Sequence, residues 1–284
     1  MGADSASPIT KPTIEEIWRK YDAMEQRLSA PLTERMLELA QLRQGMQVLD
    51  LATGRGEPAI PAAQRILPGG RVLGVDADNS VLNIAREKAQ LARVSNLEFV
   101  VSDIETLTGV AENFFDVAFA RWGLMYLKQP IRALKAIRKV LAENGVLVAA
   151  VWVEPEQASF YELPRTALAQ VTKRQPDNHR QPGTFYYADA NRLTTDFEAA
   201  GFTLTHSETI KVDVVEVSSD EELISWARTF GMWDALQALT IRQQAAWEEE
   251  LIQAAEAYRT KEGTIRLSGL SRLFVSSYGL SVSR

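Results

Sequence analysis

The chain has no cysteine and only two histidines, His179 and His206, among its 284 residues. Without thiols there is neither a disulfide framework nor a thiolate metal site, and with no HxxxH or comparable cluster a metal would have to be held by carboxylates alone. No metal is expected. Positive charge is scarce as well: 31 Lys and Arg stand against 37 Asp and Glu, a net charge of −6. That balance opposes a general nucleic-acid surface, which rests on many cationic contacts to phosphates. No apolar run approaches the length of a membrane span. The first residues, MGADSASPITKP, lack an apolar core of signal-peptide length and carry Asp4 where a signal is positive. A cytoplasmic protein acting on a small molecule is the expectation, and the 46% hydrophobic content suits an ordinary core.

The most informative stretch is MQVLDLATGRGEPAIP, from Met46 to Pro61. Val48, Leu49 and Leu51 make the short apolar run of a buried strand, which Gly54, Arg55 and Gly56 break. Ile60, Ala63, Ile66 and Leu67 then continue at helical spacing, so strand, Gly-x-Gly turn and helix form one unit. Glycines there permit positive φ and close approach of a ligand, while the helix start offers free N–H groups. A tight turn with no ligand satisfies the same pattern, and Gly54-x-Gly56-x-x-Ala59 also fits the dinucleotide fingerprint. A second apolar run, Val72 to Val75, ends in Asp76, where an acid can accept hydrogen bonds from ribose hydroxyls. With Asp50 closing the first run and Ser102-Asp103 following a third, Leu97 to Val101, polar groups stand at three successive strand ends. In an open α/β sheet that edge is where ligands bind.

These motifs resemble those of the class I S-adenosylmethionine-dependent methyltransferases, particularly the small-molecule branch that includes the ubiquinone/menaquinone C-methyltransferases. VLDLATGRGEPAI resembles their first motif, with Ala52 in place of its first glycine and Thr53 in place of a frequent Cys; VLGVDAD, VVSDIETL and FFDVAFARWGLMYL resemble the later ones. The resemblance implies an α/β fold: a doubly wound, seven-stranded Rossmann-like sheet of order 3-2-1-4-5-7-6, with helical cap insertions. It also implies S-adenosyl-L-methionine as cofactor and a small-molecule methyl acceptor, with a homodimer allowed. On this resemblance Asp50, Ala52, Thr53, Gly54 and Gly56 hold the methionyl group and Asp76 the ribose. Ala77 and Ile104 flank the adenine, Asp103 takes its amino group, and Tyr21 and Arg121 complete the cofactor site. Trp18, Trp122, Met125 and Tyr126 are the acceptor-side residues. Methyl transfer from a sulfonium needs alignment and dryness more than a nucleophilic side chain; if a base is required, His179 is the candidate.

Along the chain, Thr13 to Glu16 reads as a capping box opening a helix with Ile14, Ile17, Trp18, Tyr21 and Leu28 on one stripe, and a second helix is expected over 32–42 after Pro31. Strands over 46–52, 71–76, 97–102, 115–120 and 145–153 alternate with helices over 57–67, 79–92 and 130–142. Residues 156–173 read as a helix and the following stretch to Tyr187 as an inserted loop. A strand is expected from Phe202, a single helix carries Leu223, Trp226, Phe230, Trp233 and Leu236, another spans about 240–259, and a last strand covers 272–280. The expected division is 1–44 as helices covering the cofactor, 45–153 as the binding core, 154–188 as a cap insertion and 189–284 as completion of the sheet with further cap helices. The insertion and the N-terminal helix are expected to form a movable cover, with Phe185-Tyr186-Tyr187 facing the pocket. Two other readings remain open on the residues: an NAD(P)-dependent oxidoreductase, which lacks a visible Tyr-x-x-x-Lys, and a non-catalytic methyltransferase-like binding subunit.

Overall fold

The computed structural model describes residues 11–174 and 182–278. A long helix, α1 (Ile14–Leu39), is followed by β1 (Gln47–Leu51), α2 (Ala59–Arg65), β2 (Arg71–Asp76), α3 (Asn79–Leu91), β3 (Leu97–Val101), β4 (Phe115–Arg121), α4 (Pro130–Val140) and β5 (Leu141–Val153). Then come α5 (Ser159–Thr172), α6 (Ala190–Ala199), β6 (Thr203–Val217), α7 (Asp220–Ala227), α8 (Trp233–Gln237), α9 (Ile241–Ala255) and β7 (Ile265–Ser277). The strands form one sheet of order β3-β2-β1-β4-β5-β7-β6, as the resemblance implied. The first five are parallel and β7 runs antiparallel between β5 and β6.

Parallel strands covered on both faces need continuous apolar sequence rather than alternation. Ala118, Phe119 and Ala120 of β4 and Leu147 to Val151 of β5 meet that need and are fully buried. At the sheet's edge, β6 alternates partly and carries charges; Arg35 and Arg27 of α1 pair with its Glu208 and Glu216. A long edge strand without such cover is an invitation to pair with other chains.

Apolar burial divides into two clusters. The larger lies along the sheet; the smaller lies above the end of β6 and β7 and is built from Tyr21, Leu163, Trp226, Met232, Trp247 and neighbours on α1, α5, α7, α8 and α9. Trp247 is fully buried there and its indole N–H donates to Pro164 O at 2.9 Å.

The structure corrects several expectations. Residues 14 to 39 form one helix, not two: Pro31 sits inside α1. Its missing N–H costs one helical bond, but Leu32, Met36 and Leu37 are buried in the main core and Tyr21 in the smaller one, so packing on both sides of the proline holds the helix whole. The helix expected through Phe230 breaks instead, because Phe230 (φ −91°, ψ 83°) and Gly231 (φ 85°) leave helical geometry between α7 and α8. Phe185 and Tyr187, expected on a movable loop, are buried in the main cluster, where Tyr187 packs edge-on against Phe197. Large rings find more apolar contact against the sheet than over an open edge. The final strand begins at Ile265 rather than 272.

Candidate active site

Strands β1, β2, β3 and β4 end level with one another: Leu51 pairs with Val75, Asp76 with Val101 and Asp50 with Phe119. The residues after those ends converge on the glycine turn. Thr53 N–H bonds to Val75 O at 2.9 Å, and Gly54 N–H bonds to the Asp76 carboxylate at 2.9 Å, which also accepts from Asp78 N–H at 3.0 Å. Asp50, wholly buried, accepts from Thr53 Oγ1 at 2.5 Å and Ala59 N–H at 3.1 Å through one oxygen, while its Oδ1 has no partner.

The two glycines serve different ends. Gly56 (φ 88°) is a packing residue, since a Cβ there would meet Ile60 Cδ1 at 2.8 Å. Gly54 (φ 53°) faces open space, with no heavy atom within 4 Å of a Cβ position. Ala52, where the family motif has glycine, holds the left-handed conformation (φ 50°), and its methyl fills the space that requires glycine at 123. A Cβ at Gly123 would lie 2.6 Å from it.

Asp103 is exposed and its Oδ1 accepts from Glu105 N–H at 2.8 Å, with half-buried Ile104 beside it; Ala77 is exposed at the end of β2. Trp122 takes positive φ (59°), with its indole N–H donating to Ser271 Oγ at 3.0 Å and its ring stacked 4.4 Å from Trp152. A tryptophan in the left-handed region is sterically costly, and such strain gathers at functional positions. Met125 is 1% exposed in the main core, and Tyr126 is 55% exposed with its hydroxyl 3.3 Å from Thr184 Oγ1. Tyr21 lies in the smaller core, packed on Phe230 and 3.3 Å from Ser225 Oγ. His179 falls outside the described residues. His206 pairs with Glu208 at 3.1 Å on β6.

Sequence reading singled out Arg121 for the cofactor site but missed the other charges that meet it beneath α1. Arg55, between the two glycines, is buried; its guanidinium lies 3.7 Å from the Trp18 ring centre, its Nε donates to Asp22 at 2.5 Å, and it pairs with Glu25. Glu25 also pairs with Arg121 at 3.2 Å, Arg121 donates to Ser29 Oγ at 2.5 Å, and Lys88 pairs with Asp22 at 3.1 Å. Glu57, buried beside them, accepts from Gln26 at 2.7 Å. The one sequence signal was the stripe Trp18, Asp22, Glu25, Ser29, spaced to share a face of α1.

The titration behaviour follows from burial. Glu25 is held below the usual carboxylate range: desolvation pushes it up, but Arg121 and Arg55 together outweigh that. Burial raises Glu57. For Asp50 burial dominates, and its pKa rises from 3.8 to about 7 against the opposing bonds from Thr53 and Ala59. A carboxyl with a raised folded-state pKa binds a proton that the unfolded chain has already lost. Its stabilising contribution is full below pH 3.8 and is lost as pH rises through about 7. Denaturant melts at pH 5 and pH 8 are therefore expected to show a smaller loss of stability on going to pH 8 in Asp50→Asn than in the wild type. Equal losses would remove the assignment.

These residues fit a nucleoside sulfonium. The turn leaves open backbone at Gly54, the Asp76 carboxylate beside it is only half-buried, and the orphaned Asp50 oxygen is an unmet demand of the kind a cationic ligand satisfies.

Comparison with known proteins agrees. A family model described as "Methyltransferase domain" matches residues 42–213. The ubiquinone/menaquinone biosynthesis C-methyltransferase UbiE of Edwardsiella ictaluri (strain 93-146) is 29% identical over 234 residues, 75% of this chain and 90% of that protein. Among solved structures, a SAM-dependent methyltransferase from Aquifex aeolicus has 20% identity and a TM-score of 0.51, covering 66% of this chain and 90% of that one. The [4+2]-cyclase SpnF has 20% identity and a TM-score of 0.57, covering 96% and 98%. At such identities the structures speak to fold alone, whereas the family model spans more than half of the 284 residues, and the chain belongs to the methyltransferase-domain family as an S-adenosylmethionine-dependent enzyme.

Proposed function

We propose that the protein methylates a small organic acceptor, a metabolite with a planar ring, bound between the glycine turn and the smaller apolar core. The observation that carries this reading is the strained Trp122, whose stacked and hydrogen-bonded ring stands at the end of β4, next to the strand that carries the cofactor turn. The similarity to enzymes named for ubiquinone and menaquinone biosynthesis supports a small acceptor too.

The cofactor supplies an electrophilic methyl group on a sulfonium. The chain's own work is orientation and dryness, which can account for roughly 7 kcal/mol or more of a barrier. Asp76 would accept from ribose hydroxyls, the open backbone at Gly54 would carry the methionyl part, and Ala77, Asp103 and Ile104 would hold the adenine. Trp18 and Trp122 would wall the acceptor. Tyr126, which is exposed, would serve entry, while Met125 and Tyr21, both buried, would support the site from behind. With Phe185 and Tyr187 buried against the sheet, the cover would consist of α1 and α5 from the segments expected for it, joined by α7 to α9.

Asp76→Ala is expected to weaken S-adenosylhomocysteine binding by about 1.5 to 3 kcal/mol, the range for losing a partner in bonds to a charged group. An unchanged dissociation constant by calorimetry, in folded protein, would sink the ribose role. The acceptor class is tested by incubating the enzyme with methyl-labelled S-adenosylmethionine and a cell extract, then separating metabolites from macromolecules. Label in the metabolite fraction is expected, and label confined to protein or nucleic acid would overturn the reading. A parallel titration with NADH should give no binding.

A further inference from the structure

Burying charge is costly, and a buried ion pair is often no more stable than an apolar replacement of the same shape. Yet α1 meets the sheet edge through three carboxylates, on Asp22, Glu25 and Glu57, and three cations, on Arg55, Lys88 and Arg121, several of them almost wholly covered. Helix-to-sheet packing does not need this, since the second half of α1 buries Leu32, Met36 and Leu37, and its ion pairs with the sheet, Arg27 with Glu216 and Arg35 with Glu208, are partly exposed. What distinguishes the charged half is where its partners sit. Arg55 lies inside the cofactor turn, and Arg121 is the last residue of β4, one residue before the acceptor-side Trp122. A single carboxylate touches both.

We propose that Glu25 is a positioning residue that ties the cofactor turn to the acceptor side: one oxygen holds Arg55 and the other Arg121, so the two segments move as one and α1 is seated across them. The inference goes beyond the acceptor assignment and needs only the cofactor. Asp22 and Trp18 fix Arg55 from one side, and Ser29 fixes Arg121 from the other, so each guanidinium keeps a local anchor when Glu25 is altered. The link between them does not survive. Charge-assisted hydrogen bonds are short and directional, which suits the task better than apolar contact, which slides.

The test uses the full chain, S-adenosylhomocysteine calorimetry and hydrogen exchange. In the wild type the ligand is expected to raise protection in 52–57 and in 121–126 together. In Glu25→Gln the affinity should fall on the order of tenfold to a hundredfold, and ligand should protect 52–57 without protecting 121–126. Glu25→Gln/Arg55→Gln removes one charge of each sign, so thermal stability should recover while the ligand-linked protection of 121–126 does not. That split separates positioning from mere charge balance. If Glu25→Gln fails to fold, Glu25→Asp keeps the charge on an arm one methylene shorter, too short to reach both arginines, and should likewise uncouple the segments. Wild-type affinity with coupled protection in any folded variant would overturn the proposal, as would recovery of coupling in the double variant. A wild-type protein that failed to bind the ligand would overturn the cofactor reading and the proposal together, and is told apart because the failure precedes any substitution.

Discussion

Gly54→Val is expected to abolish S-adenosylhomocysteine binding, by on the order of a hundredfold or more, if the ligand meets the added side chain as an overpacked group costing about 3 kcal/mol. The protein itself leaves room: nothing lies within 4 Å of a Cβ at that position. Only the left-handed backbone (φ 53°) opposes the substitution, at about 1–2 kcal/mol, so the fold should persist. Gly56→Val is the contrast, because its Cβ would strike Ile60 at 2.8 Å and the damage should fall on stability as well. Calorimetry beside a thermal melt reads both quantities. Wild-type binding by Gly54→Val would remove the turn from the site.

Trp247→Ala is expected to cost about 3–5 kcal/mol, among the largest effects of any single truncation in the smaller core. The side chain is fully buried, packs with α5 and α7, and donates its indole N–H to Pro164 O, a bond the truncation removes. For a chain of this size that is a fall of about 6–10 °C in Tm. Differential scanning calorimetry checks it, and a shift under 2 °C would mean that the smaller core contributes little to the cooperative unit.

The sheet and the cofactor turn were legible because their signals are local. An apolar run ending in Asp50 and a glycine turn, and a second ending in Asp76, carry strand ends and ligand chemistry within a few residues. The buried charges were not legible: Arg55 and its partners Asp22 and Glu25 are 33 and 30 residues apart, and a carboxylate on a helix looks the same in sequence whether solvated or paired beneath a neighbour. Pro31 misled because a rule about isolated helices was overridden by packing on both sides of it. Gly231 was a visible break signal that the regular spacing of Trp226, Phe230 and Trp233 obscured. Phe185 and Tyr187 stood among prolines and polar residues, which describe the path of the chain but not the direction of its rings.

The place of β7 bears on how the chain is made. Between Val153, where β5 ends, and Ile265, where β7 begins, lie 111 residues (154 to 264), yet β7 is the strand that covers the edge of β5 and the one on which β6 hangs. At roughly 5–20 residues per second of synthesis, a nascent chain therefore carries the bare, fully apolar margin of β5 for about 6–22 s before its partner exists. During that interval β6 has no strand to join, and the margin is a template for any extended segment nearby. Folding of the sheet's second half is thus deferred until translation has passed Ser277, and expression in a host short of chaperones should shift the product toward inclusion bodies more readily than the finished fold's stability would suggest.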